Sequence, residues 1–140
     1  MNQAKVPTAK GSGSAAALRI SIGLVYLWFG MLKFFPDVSP AEDLARNTIH
    51  CLTFGLVPDQ ISVLLLAIWE VAVGVLLITG LFRSIALRVT LVHILCTFVP
   101  ILCFPELIFQ NVPLVLTLLG QYIVKNIIIL AALLVLISTG

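Results

Sequence analysis

The sequence predicts an all-α integral membrane protein: a bundle of four transmembrane helices, with a short extramembrane amphipathic helix between the first two. Composition is the first reason. Of 140 residues, 61% are hydrophobic and 10% charged, and the mean hydropathy is +1.18, more apolar surface than a soluble domain of this size can hide. In hydrocarbon the backbone must satisfy its own hydrogen bonds, which leaves helices or closed barrels. The runs Val63–Ile68, Val71–Ile78 and Ile127–Ile137 are continuously apolar. They lack the period-two alternation of a barrel strand and so select helices.

Met1–Ser14 carries Lys5 and Lys10 among Gly, Ser and Pro and reads as a flexible tail. A cleaved signal peptide places its small-residue site after the apolar stretch, whereas Ala15–Ala17 precede it, so the first helix is expected to stay attached. A helix rising about 1.5 Å per residue needs roughly 20 residues to cross the hydrocarbon. Four segments approach that length within a single domain over 15–140: Leu18–Phe35, Ile61–Phe82, Leu87–Phe109 and Val112–Ser138. Between the first two, Ser39-Pro40-Ala41-Glu42 has the form of a capping box with Pro at the first helical position. The helix it starts, running to about Thr53, mixes Asp37, Glu42, Asp43, Arg46 and His50 with Leu44, Ile49, Leu52 and Phe54. It is expected to lie at the interface, stopped by Gly55.

The net charge of +2 offers no basic patch for nucleic acid. Lys5, Lys10 and Arg19 precede the first span, and Arg83 and Arg88 flank the link between the second and third. By the positive-inside rule these lie in the cytoplasm, with both termini inside, the acidic Pro36–Gln60 loop outside, and the cytoplasmic (inner) membrane as the location.

Ionisable groups at membrane depth each cost about 2.5–3.5 kcal/mol even on a lenient insertion scale, so Lys33, Glu70, His93 and Lys125 need a reason to be there. They fall on stripes of small and polar residues: Arg19, Gly23, Tyr26, Gly30 and Lys33 on the first span; Ala67, Glu70 and Gly74 on the second. The third has Ala86, Thr90, His93, Thr97 and Pro100, and the fourth Thr117, Gln121 and Lys125 with Ile128 and Ala132. Such faces let membrane helices approach closely and bond to one another, and the four are expected to converge on one interior. Depth favours a Glu70–Lys125 ion pair supported by Gln121 or Asn126. Lys33 is placed to reach inward to Glu70 or to snorkel outward, and snorkelling is the commoner fate. One carboxylate against up to two ammonium groups makes a pocket for an anionic or carbonyl-bearing ligand, with Glu70 and Lys125 as candidate catalytic groups. Lys33, Tyr26, Gln121, Asn126 and His93 are the candidate ligand contacts. The structural alternative is that the ion pair only fixes helix register and His93 only packs. Trp28, Trp69 and Tyr122 read as packing or interfacial aromatics.

Cys51, Cys96 and Cys103 contain no CxxC pair, which argues against a metal knuckle or self-contained dithiol centre; no metal is expected. Cys51 and Cys103 fall on the outer side, where an oxidising compartment allows a disulfide that their spacing does not demand.

Three segments together carry a family resemblance: Arg19 to Gly23 through Gly30-Met-Leu-Lys33-Phe34; Trp69-Glu70-Val-Ala-Val-Gly74 through Gly80 and Arg83; and Gly120-Gln121-Tyr-Ile-Val-Lys125-Asn126. Over Leu18 to about Ile137 the chain resembles the DoxX-like family of bacterial four-helix membrane proteins. The resemblance implies the family's polar positions at Lys33, Glu70, Lys125 and Asn126. His93 and the cysteines lie outside that pattern. Some family members are similar to the small subunit of a thiosulfate:quinone oxidoreductase, and others are linked to membrane oxidoreductase assemblies or oxidative-stress resistance. The expected function is therefore a subunit of a quinone-linked membrane redox system that binds a quinone or small anionic substrate. A protein partner or a second copy is expected, since no haem-ligand pair, flavin fold or iron–sulfur cysteine set is visible to carry electrons. A vitamin K epoxide reductase mechanism is disfavoured by the missing CxxC. The alternatives are a scaffold or assembly subunit without chemistry and, given four spans and no internal repeat, an oligomeric transporter of a small solute.

Overall fold

The computed structural model describes residues 11–35, 38–39, 41–110 and 115–139. Among the described residues, four helices are long and apolar enough to cross a membrane: Gly13–Leu32, Ile61–Thr79, Arg83–Cys103 and Leu118–Ser138. The chain is thus a small multi-pass integral membrane protein of all-α build.

The first span is α1 (Gly11–Leu32), which takes in Gly11–Ser14, residues whose composition suggests a tail; Met1–Lys10 lies outside the described residues. The short helix α2 (Glu42–Leu52) buries Leu44 and Thr48, one turn apart on one face. The expected capping box does not form as such. Ala41 occupies the cap position without a side-chain bond, and the Glu42 carboxylate accepts from Arg46 at 2.9 Å. Gly55, at φ 75°, takes the left-handed turn that ends the helix, its N–H donating to the His50 carbonyl at 2.9 Å.

The second span, α3 (Asp59–Thr79), stops at Gly80 (φ 78°), whose N–H returns to the Leu76 carbonyl at 2.9 Å. Three residues later the chain has reversed into α4 (Arg83–Cys96). The expected unbroken helix Leu87–Phe109 is interrupted: α4 gives way to α5 (Val99–Cys103) and α6 (Pro105–Ile108). Pro100 and Pro105 have no N–H for the carbonyls four residues earlier and their rings crowd them, so the helix must restart at each. The Thr97 hydroxyl meanwhile donates to the Ile94 carbonyl at 2.6 Å in the ending turn. The last span, α7 (Leu118–Ser138), begins later than Val112; Asn111–Leu114 lies outside the described residues. Before it the chain pairs with itself at Phe109 and Leu116. The Thr117 hydroxyl caps the helix, accepting from Gly120 N–H at 3.1 Å and donating to the Leu107 carbonyl at 2.6 Å.

The spans alternate in direction and pack as two pairs, α1 with α3 and α4 with α7. The α3–α4 turn and an α1–α7 contact close the ring, while α2 leans on α3 and α5. Glycine sets the α1–α3 spacing. A Cβ on Gly74 would lie 2.7 Å from Leu27 N and 2.9 Å from the Gly23 carbonyl, and one on Gly30 would lie 2.8 Å from Glu70 Cβ. The two backbones touch, as membrane helices do where only small residues intervene. At the end where α3 and α7 finish, Arg19 donates to the Leu77 and Ile78 carbonyls, and Arg83 reaches the Leu136 carbonyl at 3.5 Å. Both cations sit on the negative ends of helix dipoles. Apolar packing is continuous from Ile22 and Tyr26 through Val73, Leu77 and Leu87 to Leu133 and Leu136.

Because the neighbours of Gly74 are backbone atoms that cannot turn aside, Gly74→Val is expected to destabilise the bundle by about 2 kcal/mol or more. Gly13→Ala, with nothing among the described residues within 4 Å of the new methyl group, should leave stability unchanged or slightly raised. Denaturant unfolding in detergent, followed by helical circular dichroism, measures both.

Candidate functional site

The sequence requires each intramembrane charge to find a partner, and the structure chooses one other than depth suggests. Lys33 Nζ, just past the last turn of α1, lies 2.6 Å from Glu70 Oε2 on α3, the two side chains being 8% and 11% exposed. Lys33 therefore turns inward and does not snorkel. The choice follows from Gly30, one turn before it: the missing side chain lets Glu70 lie against α1, within reach of the lysine. The expected Glu70–Lys125 pair does not exist. Lys125 is exposed, its ammonium 4.2 Å from the centre of the Tyr122 ring, a cation–π contact on its own helix.

The reason lies in the rotation of α7. Gly120, Ile123, Leu133 and Leu136 are its buried positions, whereas Gln121, Lys125 and Ile128 are exposed. The stripe expected to face inward is about 100° off, the turn of one residue on a helix. Gly120 fixes that rotation, since a Cβ there would strike the Ile108 carbonyl oxygen. Asn126 does face in, donating from Nδ2 to the Thr97 hydroxyl at 2.9 Å. The α4 stripe is placed as expected, with Ala86, Thr90 and Pro100 buried and His93 and Thr97 half-buried.

A second polar contact crosses between the helix pairs. Tyr26 Oη on α1 and His93 Nδ1 on α4 are 3.0 Å apart, their rings edge to face with centroids 5.5 Å apart. Phe29 meets Tyr122 edge to face at 6.4 Å. These contacts border a cavity of about 1040 Å³ between α1–α3 and α4–α7. Its wall is mostly apolar, with Tyr26, Lys33, Glu70, His93, Thr97 and Asn126 set into it and Lys125 at its edge; Gln121 does not line it. Exposed Leu65, Trp69 and Val92 form part of the same wall, so the cavity opens sideways at the level of the apolar surface. One end is covered by α2 through Leu44, Thr48 and Leu52.

The sequence places the apolar face of α2 on the bundle or on lipid; the structure puts it on the cavity wall. The signal was present in Leu44 and Thr48, four residues apart and both buried. The pairing of Asn126 with Thr97 carries no charge signal in the sequence and is visible only in the structure.

Chemically the cavity offers a balanced ion pair, a tyrosine hydroxyl and an imidazole in apolar surroundings. Glu70 Oε1 makes no hydrogen bond among the described residues, and His93 uses one ring nitrogen on Tyr26. Both keep capacity for a ligand.

Fold and site together define a multi-pass membrane protein whose helices enclose a polar-studded, laterally open cavity. The chain belongs to the DoxX family, whose model matches residues 14–102. That match covers Tyr26, Lys33, Glu70 and His93; the Gly120–Asn126 segment lies beyond it. No curated protein and no solved structure gives a significant match.

Lys33→Met leaves the Glu70 carboxylate without its partner and is expected to destabilise the bundle by about 3–5 kcal/mol. The double variant Lys33→Met/Glu70→Leu, which removes both charges, should recover most of that loss. A double-mutant cycle of unfolding free energies in detergent gives the coupling.

Proposed function

We propose that the cavity binds a lipid-soluble, carbonyl-bearing ligand of the quinone class, and that the protein is a subunit of a membrane redox system. The observation that carries this reading is the combination of a large apolar cavity, opening sideways past Leu65, Trp69 and Val92, with Tyr26, His93 and the Lys33–Glu70 pair set into its wall. A flat, apolar ring with carbonyl oxygens at opposite edges matches such a wall, since a few convergent polar groups orient a ligand that apolar contact holds. The Tyr26–His93 pair, itself hydrogen-bonded, has one donor left over for one ligand oxygen, and Lys33 donates a charge-assisted bond to an oxygen at its own end of the cavity. Glu70 balances the lysine and accepts or returns a proton as the ligand's charge changes. Lys125, exposed at the edge, guides an anionic headgroup or substrate and takes no part in chemistry. A partner subunit supplies the electrons. The protein lies in the cytoplasmic membrane with Arg19, Arg83 and both termini inside and the α2 end outside, as the basic residues direct.

One observation favours a second reading. Glu70 sits where α1 and α3 are in backbone contact beside Gly30, the place at which an ion pair fixes helix register. In a scaffold or assembly subunit without chemistry, that would be its whole role.

Trp69 borders the cavity, so its fluorescence reports ligand entry. A short-chain ubiquinone analogue added to the purified protein is expected to quench it saturably. Tyr26→Phe and His93→Leu should each weaken binding about tenfold, the loss of roughly 1.4 kcal/mol of hydrogen bonding, and Lys125→Met less than threefold. Absence of saturable quenching in the folded protein, with the Lys33→Met/Glu70→Leu variant still supporting function in cells, would replace the redox reading with the scaffold.

A further inference from the structure

Two sulfur atoms far apart in sequence meet at the α2 end of the molecule. Cys51, in the last turn of α2, and Cys103, the last residue of α5, are 52 positions apart, yet their Sγ atoms lie 2.8 Å from each other. Cys103 is exposed and Cys51 is half-buried, and both are thiols. The meeting depends on the broken third span. A helix running straight on past Pro100 would carry residue 103 along the α4 axis, whereas the restart as α5 brings it against α2.

We propose that Cys51 and Cys103 form a reversible disulfide that fastens α2 over the end of the cavity. The oxidant is an external disulfide, of a small thiol or of a protein. The Cys103 thiolate attacks one of its sulfurs, forming a mixed disulfide and releasing the other half as a thiolate. The Cys51 thiolate then attacks the Cys103 sulfur, closing the internal bond and releasing the second half. Two electrons pass from the pair to the external disulfide, and the two thiol protons leave with the released thiols. The order of attack follows exposure, since only Cys103 stands open to an incoming molecule. The bond ties α2, whose Leu44, Thr48 and Leu52 form one end of the cavity wall, to α5, which carries the wall residue Pro100. Oxidation therefore holds the cover in place, and reduction leaves it to apolar packing and to α2's own contacts with α3 and α5. Cys96 lies within α4 in the cavity wall and serves as the reference thiol.

The test uses the full chain in lipid nanodiscs, first reduced and then exposed to oxidised glutathione. Free thiols are counted by maleimide–polyethylene glycol gel shift, and linkages are read by peptide mass spectrometry. The wild type is expected to lose two reactive thiols together, to yield a Cys51–Cys103 cross-linked peptide and to retain Cys96. Cys51→Ser should instead hold glutathione on Cys103. Hydrogen exchange of the α2 amides should be slower in the oxidised wild type than in the reduced protein, with no such difference in Cys51→Ser. Stable glutathione on wild-type Cys103, disulfide-linked dimers in place of the internal bond, three thiols still reactive, or α2 exchange indifferent to oxidation would each overturn the proposal. These readouts do not depend on whether a quinone binds.

Discussion

The structure depends on the need of a carboxylate and an ammonium group in apolar surroundings to hold each other. Glu70 cannot be left alone in apolar surroundings, and its ion-pair partner among the described residues is the lysine at the end of the neighbouring span. Bringing them together requires α1 and α3 to touch, and Gly23, Gly30 and Gly74 permit it by leaving backbone against backbone. Apolar contact alone would not select this register, because lipid tails solvate leucine as well as a neighbouring helix does. The ion pair contributes specificity at a desolvation cost, and close backbone packing offsets part of that cost.

The cavity is a consequence of the same arrangement. With α1 and α3 drawn together and α4 paired with α7, the pairs pack through Leu77, Leu87 and Leu133 at one end, and beside the cavity they are bridged by Tyr26 to His93 and Phe29 to Tyr122. The polar groups that serve as struts are therefore also those a ligand would meet, and replacing them bears on both folding and binding.

The extramembrane end has its own logic. Two prolines break the third span into short helices that fold back beneath α2 and against the start of α7. Ile108, fully buried there, packs with Leu44 and Ile123, so the short helices have a small core of their own. The opposite end is simpler, with arginines set on the carbonyl ends of α3 and α7.

Four spans, their approximate places, the α2 helix and the inward stripes of α1, α3 and α4 were legible in the sequence, because hydropathy and the spacing of small and polar residues act locally along a helix. Membership of the DoxX family was legible for the same reason, through the order of Gly30-Met-Leu-Lys33, Glu70-xxx-Gly74 and their neighbours. Which charge pairs with Glu70 was not. Depth placed Lys125 and Lys33 in competition, and the outcome turned on the rotation of α7, set by the contact of Gly120 with the Ile108 backbone. Nor could spacing show that Cys51 and Cys103 meet, since that needs the turn at Pro100 and the docking of α2. A single helix determines which residues share its face; only packing against its neighbours decides what that face meets.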